Sequence, residues 1–257
     1  MIKYFLKLFA AICILVPAYP QNGNFQPSPD AVKDSMFVRF NRIRDYTVKV
    51  KISVDMTGLR MPRKRIKLFY KAPDKIKVEA DGFAIVPKWG LGGSPAWFID
   101  MLDTVFVSGQ ENIKGEAQWV LKGQVNPDSL KLPLGKGDDL PRILMTVWIA
   151  QENWIVTRIE TEIDSQKVFS VETIHQEIDG LYLPEKTTLE IGFKGIEHWS
   201  LRDPMGGPTS DRKDLMEAVH GGSEESGKNF NGTIIMEFYK YKLNKGLKDK
   251  IFEKSDF

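Results

Sequence analysis

From residue 46 onward, apolar and polar side chains alternate. Val48, Val50, Ile52, Val54 and Met56 are separated by Lys49, Lys51, Ser53 and Asp55. A period of two gives a strand one apolar face and one wet face. Ile66, Leu68 and Tyr70 repeat the pattern, Ala72-Pro73-Asp74 marks a turn, and Ile76 and Val78 follow. Further strands are predicted over 119–125, 143–150, 154–163, 168–178, 181–193 and 230–243, with Asp179-Gly180 as a turn. The 143–150 run is apolar on both faces, which predicts a central or covered strand. The pattern totals nine to eleven strands in successive hairpins, with no internal repeat. The absence of a strand–helix–strand alternation excludes a parallel doubly wound sheet.

One helix precedes the strands. Ser28-Pro29-Asp30 combines an N-cap hydroxyl, a proline at the first position and an acid in the first turn. Val32, Met36, Phe40 and Ile43 then recur at helical spacing. Long strands in meander order curl into a barrel or a strongly curved sheet. The inner face of such a sheet needs apolar cover, and one helical stripe cannot supply all of it. The remaining cover must come from irregular segments or from a ligand.

Two segments are candidates for that cover. In 87–102, a Gly-rich stretch (Gly90, Gly92, Gly93) leads into an apolar helical piece over 96–102 that contains Trp97, Phe98 and Leu102. It reads as a core helix, or as a lid hinged on its glycines. The second, 202–229, is rich in Gly and Pro, and ordered loops of that length are uncommon.

The N-terminus changes the picture of where the chain works. Lys3 and Lys7 flank the unbroken apolar run 8–16, and Val16-Pro17-Ala18 offers small residues for cleavage. This is the order and size of a secretory signal. The run is too short to span a bilayer, which needs about 20 apolar residues. The expected organisation is a signal peptide over 1–18, a flexible lead-in over 19–27 and a single domain over 28–257. Cys13 reads as part of the signal, since Ile12 does not suit a lipoprotein cleavage before it. The exported chain would then begin at Tyr19 and contain no cysteine.

Charge and composition exclude several function classes. Lys3 and Lys7 account for two of the 36 Lys and Arg, leaving 34 against 34 Asp and Glu. A balanced exported chain lacks the basic excess of a nucleic-acid binder. One Cys and three His leave no zinc-finger, iron–sulfur or disulfide framework. His175, His198 and His220 show no metal-site spacing, no Gly-x-Ser-x-Gly elbow is present, and Leu134-Gly135-Lys136-Gly137 lacks the Walker spacing. No enzyme, metal or cofactor is expected.

Four stretches, taken in order, resemble the LolA/LolB-type lipoprotein-carrier family of outer-membrane lipoprotein-sorting proteins. They are the strand–turn–strand around Lys71-Ala72-Pro73-Asp74-Lys75 with Asp81-Gly82; Val147-Trp148-Ile149 followed by Trp154-Ile155-Val156-Thr157-Arg158-Ile159; Ile178-Asp179-Gly180-Leu181-Tyr182-Leu183-Pro184; and Tyr241-Lys242-Leu243-Asn244-Lys245-Gly246-Leu247 with Ile251-Phe252. The resemblance implies a mainly β fold: an unclosed, strongly curved antiparallel half-barrel with an N-terminal helix and short lid helices over an apolar cavity. It implies a monomeric, non-enzymatic periplasmic carrier. Such a carrier binds the acyl chains of lipoproteins or lipids and delivers them from an inner-membrane donor to an outer-membrane acceptor. The alternative is an envelope lipid or lipoprotein sensor domain that regulates a partner protein. On this reading Val50, Ile52, Val54, Leu68, Tyr70, Met36 and Phe40 line the cavity, and Trp97, Phe98 and Leu102 form the lid. The 202–229 segment stands as an addition to the family pattern. Arg60 and Arg63 straddle Met61-Pro62, so neither stands cleanly at the family's early-strand arginine.

Overall fold

The computed structural model describes residues 26–56, 59–60, 62–80, 97–125, 142–194 and 229–253. The expected signal peptide with Cys13, the lead-in through residue 25, the Gly-rich stretch 87–96 and the segment 202–228 lie outside the described residues.

Helix α1 (Pro29–Phe40) starts as its sequence predicts. Ser28 is extended, and its hydroxyl accepts the Ala31 N–H at 3.2 Å. Pro29 has no N–H to satisfy, and Asp30 and Arg39 each suit the dipole at their own end. Val32 and Met36 are fully buried, Phe40 packs on the core, and Ile43 is buried just beyond the helix.

The strands follow as β1 (Asp45–Met56), β2 (Leu59–Arg60), β3 (Lys64–Lys71) and β4 (Lys75–Ala80). After the short helix α2 (Trp97–Asp100) come β5 (Leu102–Ile113), β6 (Glu116–Val125), β7 (Ile143–Ala150), β8 (Val156–Ile163) and β9 (Gln166–Ile178). β10 (Leu181–Lys194), β11 (Asn229–Leu243) and the single-turn α3 (Lys250–Glu253) complete the order. The strands pair antiparallel in the order β4-β3-β1-β11-β10-β9-β8-β7-β6-β5, with β2 a short extra partner of β1. β4 and β5 are edges, so the sheet is an open half-barrel rather than a closed one.

The alternation in β1 is realised as read. Val48, Val50 and Ile52 are buried, while Lys49 is exposed and Lys51 half-buried. One row of directly paired residues shows how continuous the apolar face is: Ile234, Leu189, Val171, Ile159, Val147 and Leu121 stand side by side from β11 to β6. All six are buried in one core cluster. β7 is largely buried on both faces, as its apolar residues on both faces predict. On its outer face Trp148 donates from Nε1 to Glu111 at 2.8 Å, and the Arg158 guanidinium lies 5.1 Å over its ring.

Three elements differ from the sequence reading. Strand β5 carries few buried positions and is an edge, so its polar composition hid it. The helical piece expected over 96–102 is only Trp97–Asp100, and Leu102 opens β5 instead. β8 begins at Val156 rather than 154, because Trp154 sits in the preceding turn with φ 56°.

Candidate functional site

Helix α1 lies over the sheet. Near its start, the Gln26 side chain donates to the Val107 carbonyl of β5, and Lys33 pairs with Asp100 of α2. Its C-terminal half rests against the far strands, where Met36 and Phe40 roof a cleft. Tyr46 of β1, Leu181 and Leu183 of β10 and Phe98 of α2 share its apolar lining. The volume is about 140 Å³. A cavity on the order of 150 Å³ takes a benzene-sized guest.

An aromatic group closes the cleft beside β1. Tyr46 stacks on Tyr70 at 5.1 Å and meets Tyr241 edge-on at 5.7 Å, while Phe40 of the helix meets Tyr70 edge-on at 5.6 Å. Tyr241 donates its hydroxyl to the Pro184 carbonyl at 2.8 Å, and Tyr70 to Pro73 at 3.1 Å. Burial pushes the Tyr70 phenol up to about 12, with Asp74 adding to it, and raises Tyr46 and Tyr241 as well. All three stay uncharged at neutral pH.

The other wall is less apolar than the rest. Thr173 of β9 and Thr187 of β10 share a hydroxyl hydrogen bond of 3.2 Å, next to His175. Burial pushes the His175 imidazole down to about 4, against a weaker upward pull from the Thr173 backbone. The β7–β8 turn presents Asn153 and Trp154 to the same space. A left-handed φ on a bulky residue such as Trp154 costs roughly 1–3 kcal/mol, and such strain clusters at ligand clamps. The Trp154 N–H donates to the Ala150 carbonyl at 2.9 Å, which holds the turn in place.

Of the residues singled out from sequence, Met36, Phe40 and Phe98 line this cleft. Val50, Ile52, Leu68 and Tyr70 are buried in the core, with Val54 partly buried and packed against it. Leu102 is buried on β5, away from the cleft lining. Trp97 opens α2, and its side chain lies outside the described residues. Sequence reasoning weighed His175 only as a metal ligand and Trp154 only as part of a strand, and did not single out Asn153, Thr173 or Thr187. The available signal was polar residues at the core parity of β9, since Thr173 and His175 continue the face begun by Val171.

Among the described residues no group of His, Cys, Asp and Glu could hold a metal ion, and no helix is long and apolar enough to cross a membrane. No protein-family model and no curated protein matches the chain. Solved structures do. A LolA superfamily protein from Nitrosomonas europaea aligns with a TM-score of 0.51 at 14% identity, over 86% of this chain and 97% of that one. The fold is like that of this LolA superfamily protein. A DUF1329 family protein from Desulfovibrio piger gives the same TM-score at 12% identity, over 87% of this chain and 96% of that one. In this LolA-like fold the cleft lies between α1 and strands β8 to β10.

Proposed function

We propose that the protein is a periplasmic carrier, exported by its N-terminal signal. It would bind the acyl chains of lipids or lipoproteins in the cleft beneath α1 and deliver them toward the outer membrane. The observation that carries this reading is an open sheet whose apolar face is roofed by one helix over a cleft. A mainly apolar cleft suits an acyl chain that gains about 0.8 kcal/mol for each buried CH₂. The likeness in fold to a LolA superfamily protein supports it.

The cleft is small in this closed form, so a full acyl chain has to displace α1 from the sheet. The helix is held by the buried Val32 and Met36, the Lys33–Asp100 pair and the Gln26 contact. A roof with few polar ties opens at modest cost, and release of cargo requires the same motion in reverse. Native mass spectrometry of the protein taken from its own envelope tests the proposal. Acyl lipid or lipoprotein should leave with it and pass to acceptor membranes. Protein that is always lipid-free, and that fails to bind acyl probes in solution, would sink the carrier reading.

A further inference from the structure

Among the described residues, three buried side-chain atoms have no hydrogen-bond partner: Gln151 Nε2, Asn153 Oδ1 and His175 Nδ1. Two of them, on Asn153 and His175, belong to residues that line the cleft beneath α1. The third belongs to the same β7–β8 turn as Asn153. Native interiors leave few such groups unmet, and each costs roughly 1–3 kcal/mol. Two in one apolar cleft leave hydrogen bonds for whatever enters it.

The chemistry of the pair narrows the guest. Asn153 Oδ1 only accepts, so it needs an N–H or O–H from the guest. A neutral imidazole carries one N–H and one lone pair, so His175 complements a donor or an acceptor. Carboxylates and esters offer acceptors alone and leave Asn153 unmet. Arg39 and Arg42 also line the cleft, but both are exposed at its mouth, and Arg158 is engaged with Glu160.

The geometry points to a polar subsite at Asn153 and His175 that receives an uncharged head bearing an N–H or O–H at the end of an acyl chain, an amide or an alcohol. This deepens the carrier reading and rests on it. The chain lies along Met36, Phe40 and Phe98, and the head turns toward the β7–β8 turn. The hydrogen bond from the Trp154 N–H to the Ala150 carbonyl holds that turn in place, which keeps the subsite formed before the guest arrives.

Displacement of an apolar fluorescent dye from the full chain tests this with octanamide, octanol, methyl octanoate and octanoate. The amide and the alcohol should bind about tenfold tighter than the methyl ester, the size of one net hydrogen bond. Asn153→Leu and His175→Leu, each checked for a native circular-dichroism spectrum, should shrink that gap. The wild-type comparison stands even if either variant misfolds. Equal binding of all four probes would overturn the subsite and leave the carrier reading intact, and would assign the unmet groups to water. Octanoate binding tightest would overturn it in favour of the arginines at the mouth. No binding by any probe would remove both proposals.

Discussion

Asp45 and Gly246, 201 residues apart in the chain, are joined by a 2.9 Å hydrogen bond from the Gly246 N–H to the Asp45 carboxylate. The other carboxylate oxygen accepts the Lys245 N–H, also at 2.9 Å. Asn244 completes the clasp: its Oδ1 accepts the N–H groups of Arg44 and Asp45, and its own N–H donates to the Asp45 carbonyl. The clasp fastens the start of β1 to the end of β11, where the first long strand and the last one meet. Gly246 has φ 76°, a conformation open to glycine at little cost.

Asp45→Ala should therefore loosen the seam between β1 and β11. Hydrogen bonds to a charged group contribute about 1.5–3 kcal/mol each, but Lys245 and Gly246 are exposed and regain water. A net loss of about 1–2 kcal/mol is expected in urea unfolding. Affinity for acyl probes should change little, because the clasp lies outside the cleft lining.

Stability should fall as pH drops through the range set by His175. Its folded pKa is about 4, below the ordinary 6.5. Between those values the unfolded chain binds the proton and the folded chain does not, so stability rises with pH across that window. The full difference is roughly 3 kcal/mol, lost progressively on going from about pH 6.5 to about pH 4. His175→Gln should flatten this part of the stability profile in urea titrations. An unchanged profile would mean that the imidazole is free to protonate in the folded state.

Neighbouring positions on β1 should respond in opposite ways to the same new charge. Ile52 is fully buried, and Ile52→Glu places a carboxylate with no partner in the core, at a cost of several kcal/mol. Lys51 pairs across the sheet with Glu237 at 2.8 Å on the wet face. Lys51→Glu sets two carboxylates opposite each other and should cost less than about 1 kcal/mol. Thermal melts followed by circular dichroism separate the two outcomes.

Tethering α1 to the sheet edge should block cargo entry. Lys33 and Asp100 are in contact, so cysteines at both positions bridged by a short bismaleimide would hold the helix down. Dye uptake by the bridged protein should fall at least about tenfold and return when only one cysteine is present. Equal uptake with and without the bridge would show that the guest enters without moving the helix.

Gly123 should tolerate no side chain. A Cβ there would stand 2.4 Å from the Thr104 carbonyl oxygen and 2.9 Å from Leu102 Cδ1. The nearest atom is backbone, so the edge strand β5 has to shift. Gly123→Ala should cost roughly 1–3 kcal/mol, measured by denaturant unfolding.

Much of the fold was legible in local pattern. The alternation of Val48, Val50 and Ile52 with Lys49 and Lys51 reports which face is dry, because successive side chains on a strand point to opposite sides. Ser28, Pro29 and Asp30 predict the start of α1 because each meets a need peculiar to a helix N-terminus. The open, meandering antiparallel sheet follows from the long alternating runs and short turns.

Other features depended on neighbours distant in sequence. β5 went unread because an edge strand has one paired side and carries polar residues such as Gln110, Glu111 and Asn112. Parity places Val50, Ile52 and Leu68 on the same dry face as Leu183 and Thr187, and it cannot tell sealed core from cleft wall. That distinction is set by the path of α1, whose ties to Val107 and Asp100 carry its C-terminal half over β8 to β10. Alternation along a strand is a short-range steric rule, written into each pair of adjacent residues. Where a helix leaves a gap over a sheet is set by contacts made across dozens of residues, and only the folded chain brings Asn153 and His175 to that gap.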